Sequence, residues 1–302
     1  MQGNVDIPSL LDGWARNMHA RNMRAATIKA NVRMVGSVSA MLGWACAAEY
    51  TGASVLGWLE QRRLTIGPGT YNKELMTFRA FGKYLVCHGH AAENPLQNAQ
   101  PAHAVPVGAR ALECDEVTAI VRAGCDENAA RGRRRNARGL FWLVMATTAL
   151  RHKECAALKW SAFHLTAPVP FFVTDPDWDK TRKQVEIAVH PALVPLLKAH
   201  SASDCTTGER IWKSVPLHGE WTRDRMKAGV RQKDHRGRHA SPHSLRKSFA
   251  TWLACADVNT SIVNYLMRHA QHEVTARYID PPLSVQSAAL QHLPDVFKGM
   301  EP

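Results

Sequence analysis

The sequence predicts a mainly α protein in two units, with a small antiparallel β-sheet in the second. Three observations carry this reading. Apolar residues recur at helical spacing over most of the chain. Two short runs, 170–174 and 185–189, carry the aromatic and β-branched content of strands. One stretch, 100–108, holds two prolines and small residues with no helical period, as a linker does.

In the first unit, Ile7, Leu10, Leu11, Trp14 and Met18 set one face of a helix over 7–18. Thr27 is a candidate cap for a second helix through Val32, Val35, Val38, Met41, Leu42 and Trp44. A short third helix covers 54–61. Gly67-Pro68-Gly69 is a turn, after which Thr70 caps a fourth helix through Leu75, Phe78, Phe81 and Leu85. Asn94-Pro95 closes this all-α unit. The expected division is 1–100 for the helical unit, 101–109 for the linker and 110–302 for the second unit.

The second unit opens with Asp115-Glu116 at a helix start that continues over 117–123. The run 140–150 is apolar between Arg138 and Arg151 and reads as a buried helix. It is far short of the ~20 residues a membrane span needs. The two strands flank a charged hairpin over 175–183, and from Pro191 onward the pattern is mostly helical. Ser241 as N-cap and Pro242 at the first position open a helix whose Leu245, Phe249, Trp252 and Leu253 can face the core.

The 302 residues are 45% hydrophobic and 21% charged, a composition that supports a packed core. Lys and Arg outnumber Asp and Glu by 38 to 26, a net charge of +12 that favours a polyanionic partner. The first six residues have neither a basic start nor an apolar run, so no secretory signal and no membrane partner are expected. Seven scattered cysteines, with no Cys-x-x-Cys pair, fit a reducing cytoplasm. Cys87-His88-Gly89-His90 reads as a helix end. His235, His239 and His243 are separated by Gly237 and Pro242, which break the helix that would align them. Asp175, Asp177 and Asp179 lack the glycine and terminal Glu of a calcium loop. No metal and no cofactor is expected.

The chemistry concentrates between 241 and 278. His243 and Arg246 are three apart and share a helix face near an N-terminus, where amide N–H groups and the dipole favour an anion. His269 follows, and Tyr278 stands nine residues later. His243-Ser244-Leu245-Arg246, Leu266-Met267-Arg268-His269 and Thr275-Ala276-Arg277-Tyr278 resemble the motifs of the tyrosine recombinases, the phage integrase family. Upstream, Thr147-Thr148-Ala149-Leu150-Arg151-His152-Lys153-Glu154 resembles the family's first-arginine box, which Leu158 and Trp160 continue. Lys180 lies in an Asp-Lys-Thr context where the family carries a lysine on a hairpin. The helical first unit is similar to the family's core-binding, SAM-like domain, so the resemblance spans nearly the whole chain. It departs at Ala149, Asp257 and Met267-Arg268, where glycine or a glycine-containing segment is usual, and at Ala162, near a usual aspartate.

The resemblance implies an N-terminal core-binding domain and a C-terminal catalytic domain. The Tyr278 hydroxyl would attack a DNA phosphodiester, leaving a 3′-phosphotyrosine and a free 5′-hydroxyl and needing no ATP. Charge gathering on the non-bridging oxygens calls for planar donor forks, which Arg151 and Arg246 would supply. A phenol with a pKa of ~10 needs a base or a cationic field. The resemblance makes His243 the proton acceptor or positioner and His269 a phosphate donor. Lys180 would protonate the departing 5′-oxygen, with Lys183 its rival, and Glu154 would support Arg151. The implied partner is double-stranded DNA with a specific recombination site, bound by a homo-tetramer that exchanges strands through a Holliday junction, in the cytoplasm on the nucleoid. Basic residues in 131–138 and 223–238 would follow the DNA backbone. With the first helix this early in the chain, no arm-binding domain is expected, which resembles simple or Xer-type recombinases. Two alternatives share the scaffold: a type IB topoisomerase-like relaxing enzyme and a catalytically silent DNA-binding protein.

Overall fold

Among the described residues, four α-helices make the first unit, each burying the stripe that its apolar period defines. α1 (Ile7–Ala20) buries Ile7, Leu10, Leu11, Trp14 and Met18, and the Asp6 carboxylate caps it by accepting the Ser9 N–H at 2.7 Å. α2 (Ala25–Leu42) stops at Gly43, whose φ of 71° suits glycine. α3 (Gly52–Arg63) starts from a reciprocal cap. Ser54 N–H donates to Thr51 Oγ1 at 3.1 Å, and Thr51 N–H donates to Ser54 Oγ at 3.3 Å. α4 (Pro68–Cys87) brings Phe78 and Phe81 to the centre, where Phe81 meets Trp14 at 5.1 Å between ring centroids.

The computed structural model describes residues 5–105, 107–126, 137–177, 184–203, 209–269 and 280–300. The chain divides into two compact units, Met1–Pro106 and Val107–Pro302, each with its own apolar core.

Some helix starts differ from the sequence reading. α2 begins after Arg24, so Thr27 lies inside its first turn. α4 begins at Pro68, a residue already pre-set for the first helical position, so Thr70 is not its cap. α3 runs two residues further at each end, and at its start Thr51, not Ser54, is the boundary. Trp44 lies past the end of α2 yet is buried.

In the second unit, α5 (Cys114–Asp126) and α6 (Ala137–Thr148) cross with their backbones in contact. A Cβ at Gly139 would collide with Cys125 Sγ and the Val121 carbonyl. α6 is buried on all sides from Gly139 to Thr148, as an all-apolar helix should be. α7 (His152–Ala156) follows, then a three-stranded antiparallel sheet in the order β1 (Phe163–His164), β2 (Phe171–Val173) and β3 (Glu186–Ala188). The register sets Phe172 opposite both Phe163 and Ile187. β1 was not expected, because two residues carry no alternation to read.

α8 (Leu193–Ser203), α9 (His218–Lys227), α10 (Pro242–Cys255), α11 (Thr260–Leu266) and α12 (Leu283–Leu290) complete the unit. Buried Gln286 of α12 finishes the edge of β3. Its Oε1 accepts the Ala188 N–H at 3.0 Å, and its Nε2 donates to the Glu186 carbonyl at 3.2 Å.

Candidate active site

Two chain segments meet behind one face of the second unit. The first is the turn between α6 and α7. α6 ends at Thr148, Ala149 takes the left-handed conformation at φ 52°, and the chain then enters α7 through Arg151. Glu154 sits one turn into α7 and is 2% exposed. Its Oε2 accepts the Arg151 backbone N–H at 2.9 Å, and its Oε1 accepts Arg151 Nη1 at 2.5 Å. One carboxylate therefore fixes both the start of α7 and the guanidinium of Arg151, whose side chain is 29% exposed.

The second segment is α10 and the end of α11. Ser241 N–H donates to Ser244 Oγ at 3.0 Å, and Leu245, Phe249 and Leu253 of α10 point into the core. Arg246 lies one turn into the helix and is 1% exposed. Its Nη1 donates to the Ala149 carbonyl and its Nη2 to the Met267 carbonyl. The two segments are thus joined by an arginine from one and a carbonyl from the other. His243, three residues before Arg246, and His269, just past the end of α11, are both exposed.

The electrostatics place these groups in one neighbourhood. The His269 imidazole lies below its ordinary pKa, first through desolvation and then through the charges of Arg246, Arg151, Arg268 and His243. His243 is lowered for the same reasons: desolvation, then Arg246, Arg151 and Lys247. Burial pushes the Glu154 carboxyl up, but the Arg151 N–H and the charges of Arg268 and Arg151 outweigh it and hold the carboxyl below the usual range. Two guanidinium groups, of Arg151 and Arg268, hold the Glu154 carboxylate, Arg246 is bonded to the Ala149 and Met267 carbonyls beside it, and the imidazoles of His243 and His269 stand at the rim. Guanidinium forks and imidazole nitrogens gathered in this way are the donor types that suit a tetrahedral oxyanion.

The structure brings Arg151, His243, Arg246 and His269 together. Lys180, with its rival Lys183, and Tyr278 lie outside the described residues. The described flanks of the lysine segment are paired, with Thr174 N–H donating to the Val185 carbonyl at 2.9 Å. Beside the tyrosine segment, Tyr265 Oη donates to Asp280 Oδ1 at 2.6 Å. Burial, the hydrogen bond to Asp280 and the charges of Asp280 and Glu186 raise the pKa of this phenol. Among the described residues no three His, Cys, Asp or Glu side chains gather as a metal site.

A model of the phage integrase family matches residues 110–282, more than half of the chain. The chain belongs to the phage integrase family. A tyrosine recombinase XerC of Xylella fastidiosa (strain 9a5c) is 25% identical over 282 residues, covering 89% of this chain and 91% of the relative. Among solved structures, a lambda integrase tetramer bound to a Holliday junction superposes with a TM-score of 0.69 at 17% identity, covering 92% of this chain and 78% of that one. XerH bound to its difH substrate superposes with a TM-score of 0.63 at 14% identity, covering 94% of this chain and 81% of that one. These two share the fold.

Within this tyrosine recombinase, the departures from the usual glycines acquire a structural meaning. Ala149, Asp257 and Arg268 all stand at positive φ, at 52°, 57° and 52°. The left-handed backbone is kept although the residue best suited to it is gone. Arg268 also takes part in the site, which spacing did not indicate. A buried arginine beside a motif histidine has no periodic signal.

Two sequence expectations about charge are corrected. Arg138 does not lie on a DNA track. Its Nε and Nη2 grip the buried Asp224 carboxylate at 2.8 and 2.7 Å, with Trp142 Nε1 donating to the same group at 2.8 Å. Arg225 is buried too, with its Nη1 donating to the Val230 carbonyl at 2.5 Å. The run 131–135 lies outside the described residues. No helix among the described residues is long and apolar enough to cross a membrane.

Proposed function

We propose that this chain is a site-specific DNA recombinase that cuts and rejoins duplex DNA through a covalent 3′-phosphotyrosine on Tyr278. The observation that carries the reading is the Arg151–Arg246 pair, joined through the Ala149 turn, with His243 and His269 at its rim. A scissile phosphate seated there would meet two guanidinium forks, and the charge that builds in the transition state would meet donors already in place. A histidine held neutral can accept the phenol proton and return it when the strand is rejoined. Lys180 would give the departing 5′-oxygen its proton. The phosphotyrosine conserves the bond energy, so rejoining needs no ATP.

The first unit would act as the core-binding domain, and four protomers would assemble to exchange two duplexes. The solved lambda integrase tetramer on a Holliday junction supports this assembly by analogy of fold. The protein would work on the nucleoid.

The test is capture. The full chain is incubated with a library of duplexes carrying random sequence and scattered nicks, then denatured, and the DNA still attached to protein is sequenced. One recurring site is the expected result. Attachment to unrelated sequences, together with relaxation of any supercoiled plasmid, would replace the recombinase reading with a relaxing enzyme.

A further inference from the structure

Arg268 occupies a place that is costly twice over. Its backbone is left-handed, at φ 52°, which glycine adopts freely and a side-chain-bearing residue does not. Its side chain is 1% exposed, and a buried cation is tolerated only when well paired. Glycine would meet the backbone requirement without burying a charge. What the arginine adds is a set of bonds that glycine cannot make.

Those bonds reach both motif arginines through their acceptors. Arg268 Nη2 donates to the Ala149 carbonyl at 2.9 Å, the same carbonyl that takes Arg246 Nη1. The same Nη2 lies 3.5 Å from Glu154 Oε2, on the carboxylate that holds Arg151. Nη1 donates to the Leu266 carbonyl at 2.9 Å and the Thr148 carbonyl at 3.3 Å, tying the end of α11 to the end of α6. We propose that Arg268 is a positioning residue that sets Arg246 and Arg151 in one fixed arrangement by holding the Ala149 carbonyl and the Glu154 carboxylate between them. The proposal rests on the reading that Arg151 and Arg246 bind phosphate. It assigns Arg268 no contact with DNA.

The charge of Arg268 also reaches one histidine selectively. It acts on His269, together with Arg246, Arg151 and His243, whereas His243 answers to Arg246, Arg151 and Lys247. Loss of the charge should therefore move His269 and leave His243 in place.

The experiment compares the full-length chain with Arg268→Gly and Arg268→Lys. Histidine titrations are followed by NMR, inorganic phosphate is the anion probe, and thermal melting checks the fold. In Arg268→Gly the His269 midpoint is expected to rise, the His243 midpoint to stay, and phosphate affinity to fall about tenfold. Arg268→Lys should keep His269 low, because the charge remains, but should still bind phosphate more weakly, because the planar fork is lost. An Arg268→Gly chain with wild-type His269 midpoint and phosphate affinity overturns the proposal. So does a joint shift of both histidines with collapse of the melt, which marks a general structural role. None of these readouts requires DNA cleavage. If the wild-type chain forms no covalent adduct yet the variants behave as stated, the strand-transfer reading falls and the positioning role stands.

Discussion

Ala149 and Arg268 both hold a left-handed backbone at φ 52°, and Arg268 Nη2 donates to the Ala149 carbonyl at 2.9 Å. The bond joins the two places where the site departs from glycine. The carbonyl belongs to the backbone, so it survives a change of side chain at 149. Ala149→Gly should therefore relieve strain without breaking the bond. Part of the gain is offset by the greater freedom of glycine in the unfolded chain. A net gain of up to about 1 kcal/mol is expected, which raises Tm by roughly 2–4 °C for a unit of this size. Calorimetry of the variant checks it.

Arg151 and Arg246 differ in how far they can be changed. Arg246 is buried and bonded to two carbonyls, so its loss damages the fold as well as the site. Arg151 is partly exposed, and Arg151→Lys should fold. A lysine offers a point charge in place of a fork. Single-turnover cleavage should fall on the order of 100- to 1,000-fold, as for loss of one oxyanion donor, with DNA affinity within a few fold of wild type.

The Arg138–Asp224 pair is structural. Asp224 is fully buried and also accepts from Trp142. Asp224→Asn removes the closer of the two carboxylates beside Arg138, leaving Glu220 at 4.0 Å, and breaking a buried pair costs about 3–5 kcal/mol. Chemical denaturation should show that loss with little change in slope. A variant as stable as wild type would return Arg138 to the pool of DNA-facing charges.

Acid should weaken both stability and cleavage. His243 and His269 titrate below the ordinary histidine value of ~6.5. Between the folded and unfolded values the unfolded chain binds more protons, so stability rises with pH across that interval. The contribution is fully present above about pH 6.5 and is lost as pH falls through the folded values. Cleavage should fall over the same interval if a neutral His243 accepts the phenol proton. A bound anion favours the protonated imidazoles, so added phosphate should flatten the loss of stability. Denaturation midpoints measured from pH 7.5 down to 5, with and without phosphate, test both statements.

Much of the fold was legible because helix periodicity reports burial directly. Ile7, Leu10, Leu11, Trp14 and Met18 were readable as one stripe and are buried as one stripe. Helix starts were less legible, since Thr27 and Thr70 look like caps whether or not the helix has already begun. β1 was invisible at two residues. The charges were the hardest to read. Nothing in a run of arginines announces that Arg138 finds its carboxylate 86 positions away. At the site, motif spacing led to Arg151, His243, Arg246 and His269, which the fold gathers on one face. Arg268 was readable only as an irregularity. Its part depends on a positive φ and on carbonyls from a turn some 120 residues earlier, and neither leaves a local pattern.

Tyr278 is expected to become covalently joined to DNA. The most direct measurement is the denaturation-resistant adduct formed on a duplex recovered by capture and nicked beside its cleavage point, followed by peptide mass spectrometry. The wild-type chain should carry the nucleotide on Tyr278. Tyr278→Phe should bind the same duplex with nearly unchanged affinity and form no adduct. An adduct that persists in Tyr278→Phe, or that maps to another residue, would exclude Tyr278 as the nucleophile.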